Sequence, residues 1–321
     1  MPEENGTYRS ATPGARRPSW GESLRALVVL SGGVRVNELV AGLGRSLLDL
    51  PLSPDATMLT HWRDQAAALS DSLPGRSVPL SLRAIVSKPS TLPSSVPATE
   101  RVSVSVEYDR VELRGTGGLL RDLAEDYADD DAILVVHGNQ VLVRPLPELF
   151  ASVAATDADI VLHAEPDGSS SGLHLMRCSA LRDIRAKGYI DLKEQALPGL
   201  SATHRIRTVR SSGPTGLRVR TLEQYVRALR ALTTGDILDR PDPYAEEWAR
   251  TFSLVQVGST VDASAIIHDS VIMRGATVGA RSVIVRSLVC EGARVAPGST
   301  IFDSVIPSPQ SARQTAGRLA S

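Results

Sequence analysis

From Phe252 the sequence repeats every 17 residues: "FSLVQVGSTVDASAIIH", "DSVIMRGATVGARSVIV", "RSLVCEGARVAPGSTIF" and a closing "DSVI". Ser253, Ser270, Ser287 and Ser304 fall in one column, and Gly258, Gly275 and Gly292 in another. Val261, Val278 and Val295 follow, and Ile267, Ile284 and Ile301 close each copy. Within a copy, aliphatic residues recur about every five or six positions with small or polar residues between them, the pattern of a parallel β-helix with three short strands per coil. Aliphatic side chains then stack inward in columns, and glycine turns the backbone at tight corners. About three such coils bury little apolar surface alone, so the unit is expected to lean on the rest of the chain or on a second copy.

The preceding part alternates between two periodicities. Apolar runs at 26–30, 82–87, 132–138 and 158–164 read as buried strands, and 60–73, 117–130, 145–156 and 221–232 carry helical spacing. Alternating strands and helices imply a mostly parallel sheet covered on both faces. Ligands of such sheets bind beyond the carboxyl ends of the strands, so the turns after Leu30 and Val136 are the places to inspect. The expected division is a disordered tail over 1–24, an α/β domain over 25–233, a linker over 234–251, the coil over 252–306 and a loose tail over 307–321.

At 321 residues the chain accommodates one large domain and a smaller one. A formal net charge of −1 gives no reason to expect a nucleic acid or an anionic membrane as partner. Apolar runs such as Ile133–Val136 are far too short to span a bilayer, and the first residues lack a secretory apolar region. Cys178 and Cys290 are isolated in apolar surroundings, as expected of buried free thiols in a reducing cytoplasm. Of the 35 basic residues only Lys88, Lys187 and Lys193 are lysines, which restricts any mechanism that needs one.

Several segments carry a family likeness. "LVVLSGG" at 27–33 opens like the A-G-G-x-G-T-R phosphate loop, and "GRSLLDL" at 44–50 resembles P-K-[PS]-L-L-P-[LIV]. "RGTGGLLRD" at 114–122 matches G-T-A-G-A-L, "LVVHGNQVL" at 134–142 matches L-V-L-N-G-D-V-L, and "TLEQYVRAL" resembles a T-P-E-D-Y helix. With the C-terminal repeats, the chain over roughly 25–306 resembles the sugar nucleotidyltransferases, or nucleoside-diphosphate-sugar pyrophosphorylases. Members that form guanylyl or adenylyl sugars carry a comparable tail. The resemblance implies a Rossmann-like nucleotidyltransferase sheet followed by a left-handed parallel β-helix of hexapeptide repeats. It also implies a nucleotide held by Ser31, Gly32, Gly33, Gly115, Thr116, Gly117, Gly118 and Asn139.

In that family a sugar-1-phosphate attacks the α-phosphate of a nucleoside triphosphate, and the protein positions two polyanions while offsetting charge. The cations and acids of that task are replaced here. Without a gap, Asn37 takes the place of the loop arginine, leaving Arg35 as the available cation, and Arg45 stands at the lysine position. The metal-holding aspartate of N-G-D aligns with Asn139, preceded two residues earlier by His137, and the second aspartate aligns with Arg218. A neutral amide can coordinate Mg²⁺ but contributes no charge, and opposite charges about 4 Å apart at an effective dielectric near 20 are worth roughly 4 kcal/mol. The stretch 158–176 is too short for the sugar-side E-K-P segment, and Asp129–Asp131 reads as a solvated helix end.

The expected function is therefore a catalytically impaired, nucleotide- or sugar-nucleotide-binding or regulatory subunit, a homo- or hetero-oligomer paired with an active relative. No residue is assigned to a metal in that reading. The alternative is an active pyrophosphorylase using Arg35, Arg45 and Mg²⁺. A third reading, a hexapeptide acyltransferase, needs a longer coil, a trimer and a catalytic histidine, for which only His268 offers itself.

Overall fold

The computed structural model describes residues 17–32, 38–88, 91–110, 114–235 and 252–312. A helical turn, α1 (Trp20–Ser23), leads into β1 (Leu24–Ser31), followed by α2 (Glu38–Leu43), a 3-10 turn over Leu47–Asp49, α3 (Met58–Ser72), β2 (Leu80–Val86) and β3 (Val102–Tyr108). Next come α4 (Gly115–Ala124), β4 (Ala132–His137), β5 (Gln140–Leu142), α5 (Leu146–Ala154), β6 (Ile160–Ala164), β7 (Ser170–Arg177) and α6 (Cys178–Arg182). A π-helical stretch over Leu192–Ala196 runs into α7 (Leu197–Leu200), then β8 (Ile206–Arg210), β9 (Gly216–Arg218) and α8 (Leu222–Thr234).

Seven strands form one sheet in the order β3-β2-β1-β4-β7-β6-β8. All neighbours are parallel except the two pairs that β7 makes. Because β1 is sandwiched between β2 and β4, both its faces must be apolar, and they serve different cores. Leu27 and Val29 pack with Trp62, Leu149 and Tyr225 on one side, while Ala26 and Val28 pack with Leu120, Leu123 and Cys178 on the other. The result is a mixed α/β fold with a mainly parallel central sheet between two apolar layers.

Two tails depart from expectation. Residues 17–24 are part of the fold: Ser19 and Glu22 close a capping box, and buried Trp20 donates its indole N–H to the Thr156 carbonyl at 3.0 Å. The Arg177 guanidinium lies 4.1 Å from the Trp20 ring centroid, a cation–π contact. A single aromatic anchor was enough to order a stretch whose composition reads as a tail. At the other end, Ser308 donates its amide to the Gly42 carbonyl at 3.1 Å, which ties the segment after 306 to α2. Residues 1–16, the 236–251 part of the expected linker and the tail beyond 312 lie outside the described residues. The helix expected over 117–130 begins at Gly115 and stops at Ala124, where Asp131 caps the following turn by accepting the Ala128 amide at 2.9 Å.

The repeats form ten short strands: β10 (Ser253–Val255), β11 (Thr260–Val261), β12 (Ile266–His268), β13 (Ser270–Ile272), β14 (Thr277–Val278), β15 (Val283–Val285), β16 (Leu288–Val289), β17 (Arg294–Val295), β18 (Thr300–Phe302) and β19 (Val305–Ile306). They make three parallel sheets, β10-β13-β16-β19, β11-β14-β17 and β12-β15-β18. Each strand pairs with its counterpart one period on, as in Leu254↔Val271, Val261↔Val278 and Ile267↔Ile284. Gly258, Gly275 and Gly292 all have positive φ, which explains their column. A second corner takes φ of +45 to +47° at Asp269, Arg286 and Asp303, each directly before a column serine. There the Ser270 and Ser287 hydroxyls accept the amides of Ser287 and Ser304 at 3.0 and 3.1 Å, so the serine column is a hydrogen-bond ladder.

The repeats do lean on the sheet domain. Phe252, Leu254, Val271, Met273, Leu288 and Val305 share the core of Trp62 and Tyr225. A Cβ on Gly42 would come 2.4 Å from Val305, so α2 abuts β19 at backbone distance.

Candidate functional site

Strand order reverses between β1 and β4, and in such sheets the ligand crevice lies there, beyond the carboxyl ends of the strands. Ser31 closes β1 with its hydroxyl 3.0 Å from that of Ser46. Exposed Gly32 follows, where a Cβ would fall 2.1 Å from the Ser87 hydroxyl at the end of β2. Gly33 and Arg35 belong to residues 33–37, outside the described residues.

Arg45 does not face this crevice as a spare cation. Its Nε lies 3.1 Å from Asp49, and its Nη1 donates to Glu291 of the repeats at 2.6 Å. Nη2 donates to the Ser94 hydroxyl at 3.2 Å. Arg45 thus supplies a cation to buried Asp49 and bridges to the repeats. Burial pushes the Asp49 carboxyl up, opposed by the Ser94 amide and by Arg45.

The glycine turn is likewise committed. Gly115, with φ +69°, starts α4, and the amides of Gly117 and Gly118 donate to the Ile190 carbonyl at 2.9 and 3.4 Å. A Cβ on Gly115 would sit 2.4 Å from that same carbonyl. Arg114 completes the plug, forking onto Asp122 and reaching the Gly188 carbonyl. Thr116 lies half-buried in the first turn of the helix. These glycines admit the backbone at Ile190, whose carbonyl takes both amides.

The residues that do gather at the carboxyl edge come from β4, β5 and β9. Gly138 donates its amide to Leu30 at 2.8 Å and accepts the Trp62 indole N–H at 3.3 Å, fixing the turn before Asn139. β5 and β9 then pair antiparallel with Gln140 opposite Arg218, and Val219 donates to the Asn139 carbonyl at 2.8 Å. The two positions aligned with metal-holding aspartates are thus spatial neighbours. Arg218 also donates to the Ser170 carbonyl.

Three histidines line the adjoining strands. His137 packs against Gly172, whose φ of +81° and missing Cβ leave room for the ring. Burial lowers the His137 pKa, and the charges of Arg218 and Arg220 lower it further. His174 is held down to about 3, by burial first and then by His137 and His163. His163 Nδ1 lies 2.9 Å from the Ser171 hydroxyl, and its pKa is also lowered by burial. All three histidines are neutral near pH 7.

A divalent ion does not fit this set. Arg218 brings positive charge, and buried Gln140 carries an Nε2 donor without a partner among the described residues. Mg²⁺ seeks oxygen ligands, carboxylates above all. Among the described residues no three His, Cys, Asp or Glu side chains are grouped to hold a metal. Asp129 and Asp131 are spent on ion pairs with Arg182 and Arg25. His268 is exposed at the end of β12. Cys178 and Cys290 are buried, with thiol pKa values pushed up by burial to about 12.

Sequence reasoning named Asn139 and Arg218 but missed Gln140, Arg220 and the histidine cluster. The signal for Arg220 was its two-residue spacing from Arg218 just before the α8 cap Thr221. No helix among the described residues is long and apolar enough to cross a membrane.

No protein-family model matches the chain, and no curated protein does. Among solved structures, a crystal structure of the homologue of Mycobacterium tuberculosis rv0371c from Mycobacterium sp. strain JC1 is similar over 67% of this chain and 98% of that one, at 17% identity and a TM-score of 0.43.

Proposed function

We propose that this chain is a nucleotide- or sugar-nucleotide-binding protein on a nucleotidyltransferase-like sheet, that its repeats close into a left-handed parallel β-helix, and that it transfers nucleotidyl groups poorly or not at all. The supporting observation is the pairing of β5 with β9, which sets Asn139 beside Arg218. Both positions correspond, by resemblance, to carboxylates that would hold Mg²⁺ next to the α-phosphate. Here one is a neutral amide and the other a cation, so the charge needed to anchor a divalent ion is absent while donors for a phosphate remain. The engagement of Arg45 by Asp49 and Glu291 points the same way, since it removes the cation that an active enzyme would use.

A binding subunit of this kind acts by presenting its ligand or its occupancy to an active relative that carries the missing lysine and aspartates. Incubation with each nucleoside triphosphate and common hexose-1-phosphates, with Mg²⁺, Mn²⁺ or Co²⁺, should release no pyrophosphate above a heat-killed control. Release at ordinary enzymatic rates would overturn the proposal in favour of an active pyrophosphorylase.

A further inference from the structure

We infer that the crevice grips a phosphate group through arginine in place of a divalent ion, so that its ligand binds without Mg²⁺. The inference rests on the nucleotide-binding reading above and specifies how that ligand is held.

Gln140 and Arg218 are directly opposite on an antiparallel pair, so their side chains project to one face. Gln140 is 2% exposed, and its Nε2 has no acceptor among the described residues. A buried amide N–H without a partner is costly, and an acceptor ligand at this edge would satisfy it. Arg220 lies two residues beyond Arg218, and both charges are felt at His137. The neutral imidazole of His137 can donate one N–H without adding charge.

This set is rich in donors, and its arginines carry positive charge. Guanidinium groups donate only, and their planar fork matches the oxygens of a phosphate. A divalent cation would instead have to sit beside like charges. Two carboxylates lie near this edge: Glu165 accepts the Thr215 amide at 3.1 Å, and Asp167 accepts the Ser169 amide at 2.8 Å and feels the charge of Arg218. The ligand class is therefore a di- or polyanionic phosphate ester, and a pyrophosphate linkage offers enough oxygens for Arg218 and the Gln140 amide together.

The test is calorimetric titration of the full chain with inorganic pyrophosphate, ADP, GDP and UDP, each in Mg²⁺ and in EDTA. At least one probe should bind in EDTA as tightly as in Mg²⁺ or more tightly, because Mg²⁺ neutralises the ligand that the arginines recognise. Arg218→Gln and Arg220→Gln, each checked for folding by thermal melting, should weaken binding in EDTA by roughly tenfold or more. Having two variants keeps the test decisive if one fails to fold. Binding that disappears in EDTA, or that survives both substitutions unchanged, overturns the inference and leaves the nucleotide reading standing. No heat from any probe in either condition overturns both.

Discussion

The Arg45 guanidinium joins the sheet domain to the repeats, with Nε 3.1 Å from Asp49 and Nη1 2.6 Å from Glu291. A cation at the position where family likeness suggests phosphate chemistry has become a tie between two parts of one chain. Arg45→Met keeps the aliphatic stem and removes the charge, leaving buried Asp49 with only the Ser94 amide. A cost of about 1–3 kcal/mol is expected, discounted for the partial exposure of Arg45 and Glu291. Denaturation midpoints check this, and unchanged stability with lost ligand affinity would return Arg45 to the ligand site.

Gly115→Ala should be far more damaging than Gly188→Ala, although both glycines have positive φ. The first would drive a Cβ to 2.4 Å from the Ile190 carbonyl, whereas nothing lies within 4 Å at the second. Left-handed backbone alone costs about 1–2 kcal/mol for an L-residue, so Gly188→Ala sets the baseline. The excess measured for Gly115→Ala, on the order of 2 kcal/mol or more, reports the clash. Equal effects in urea denaturation would mean that the glycine turn is not plugged by Ile190.

How much of this was legible in the sequence follows from how each element is stabilised. β1 and β4 are buried on both faces and carry unbroken apolar runs, and the 17-residue columns reappear as strand registers. β3 and β8 escaped notice because they are edge strands, "VSVSVEY" and "IRTVR", whose polar residues face outward. The motif glycines 115–118 stand out in the sequence because close packing by Ile190 and phosphate binding demand the same residue. The tie from Arg45 to Glu291 was invisible because Glu291 lies far along the chain, in the repeats. No local pattern could reveal such a contact, nor the pairing of Gln140 with Arg218.

Stability should fall as pH drops from about 7 toward 4.5. His61 accepts the Leu142 amide on Nε2 at 3.1 Å, so that nitrogen carries no proton, and burial lowers its pKa to about 4. His174 is held down to about 3, again by burial first. Folded pKa values below the unfolded value of about 6.5 mean that the unfolded chain takes up protons first. The stability linked to these histidines is therefore full above that value and lost as pH falls toward the folded ones. His61→Gln keeps an acceptor for Leu142 and removes one titration, so the slope of stability against pH should shrink by up to about 1.4 kcal/mol per pH unit. An unaltered slope would assign the pH dependence elsewhere.

Ser287→Ala should cost about 1 kcal/mol, because it leaves the Ser304 amide without its ladder partner. Ser253→Ala, at the exposed first coil, removes only a donation to the Ile267 carbonyl and should cost less. Thermal melting of the two variants separates them, and the reverse order would deny the ladder its role.

Asn139→Asp combined with Arg218→Asp should create affinity for Mn²⁺ that the natural chain lacks, and either change alone should do so weakly. Direct titration with Mn²⁺ followed by paramagnetic resonance measures this. Equal Mn²⁺ affinity in the natural chain would show that acids elsewhere serve a metal.

The central position of β1 has a consequence for synthesis. It is synthesised about a hundred residues ahead of its neighbour β4, which begins only at Ala132, and one hydrogen-bonding flank stays open in the meantime. At translation speeds of about 5–20 residues per second, that flank waits roughly 5–20 s, long enough for nascent chains on one message to adhere to each other. Chains truncated before β4 should accumulate as insoluble aggregates.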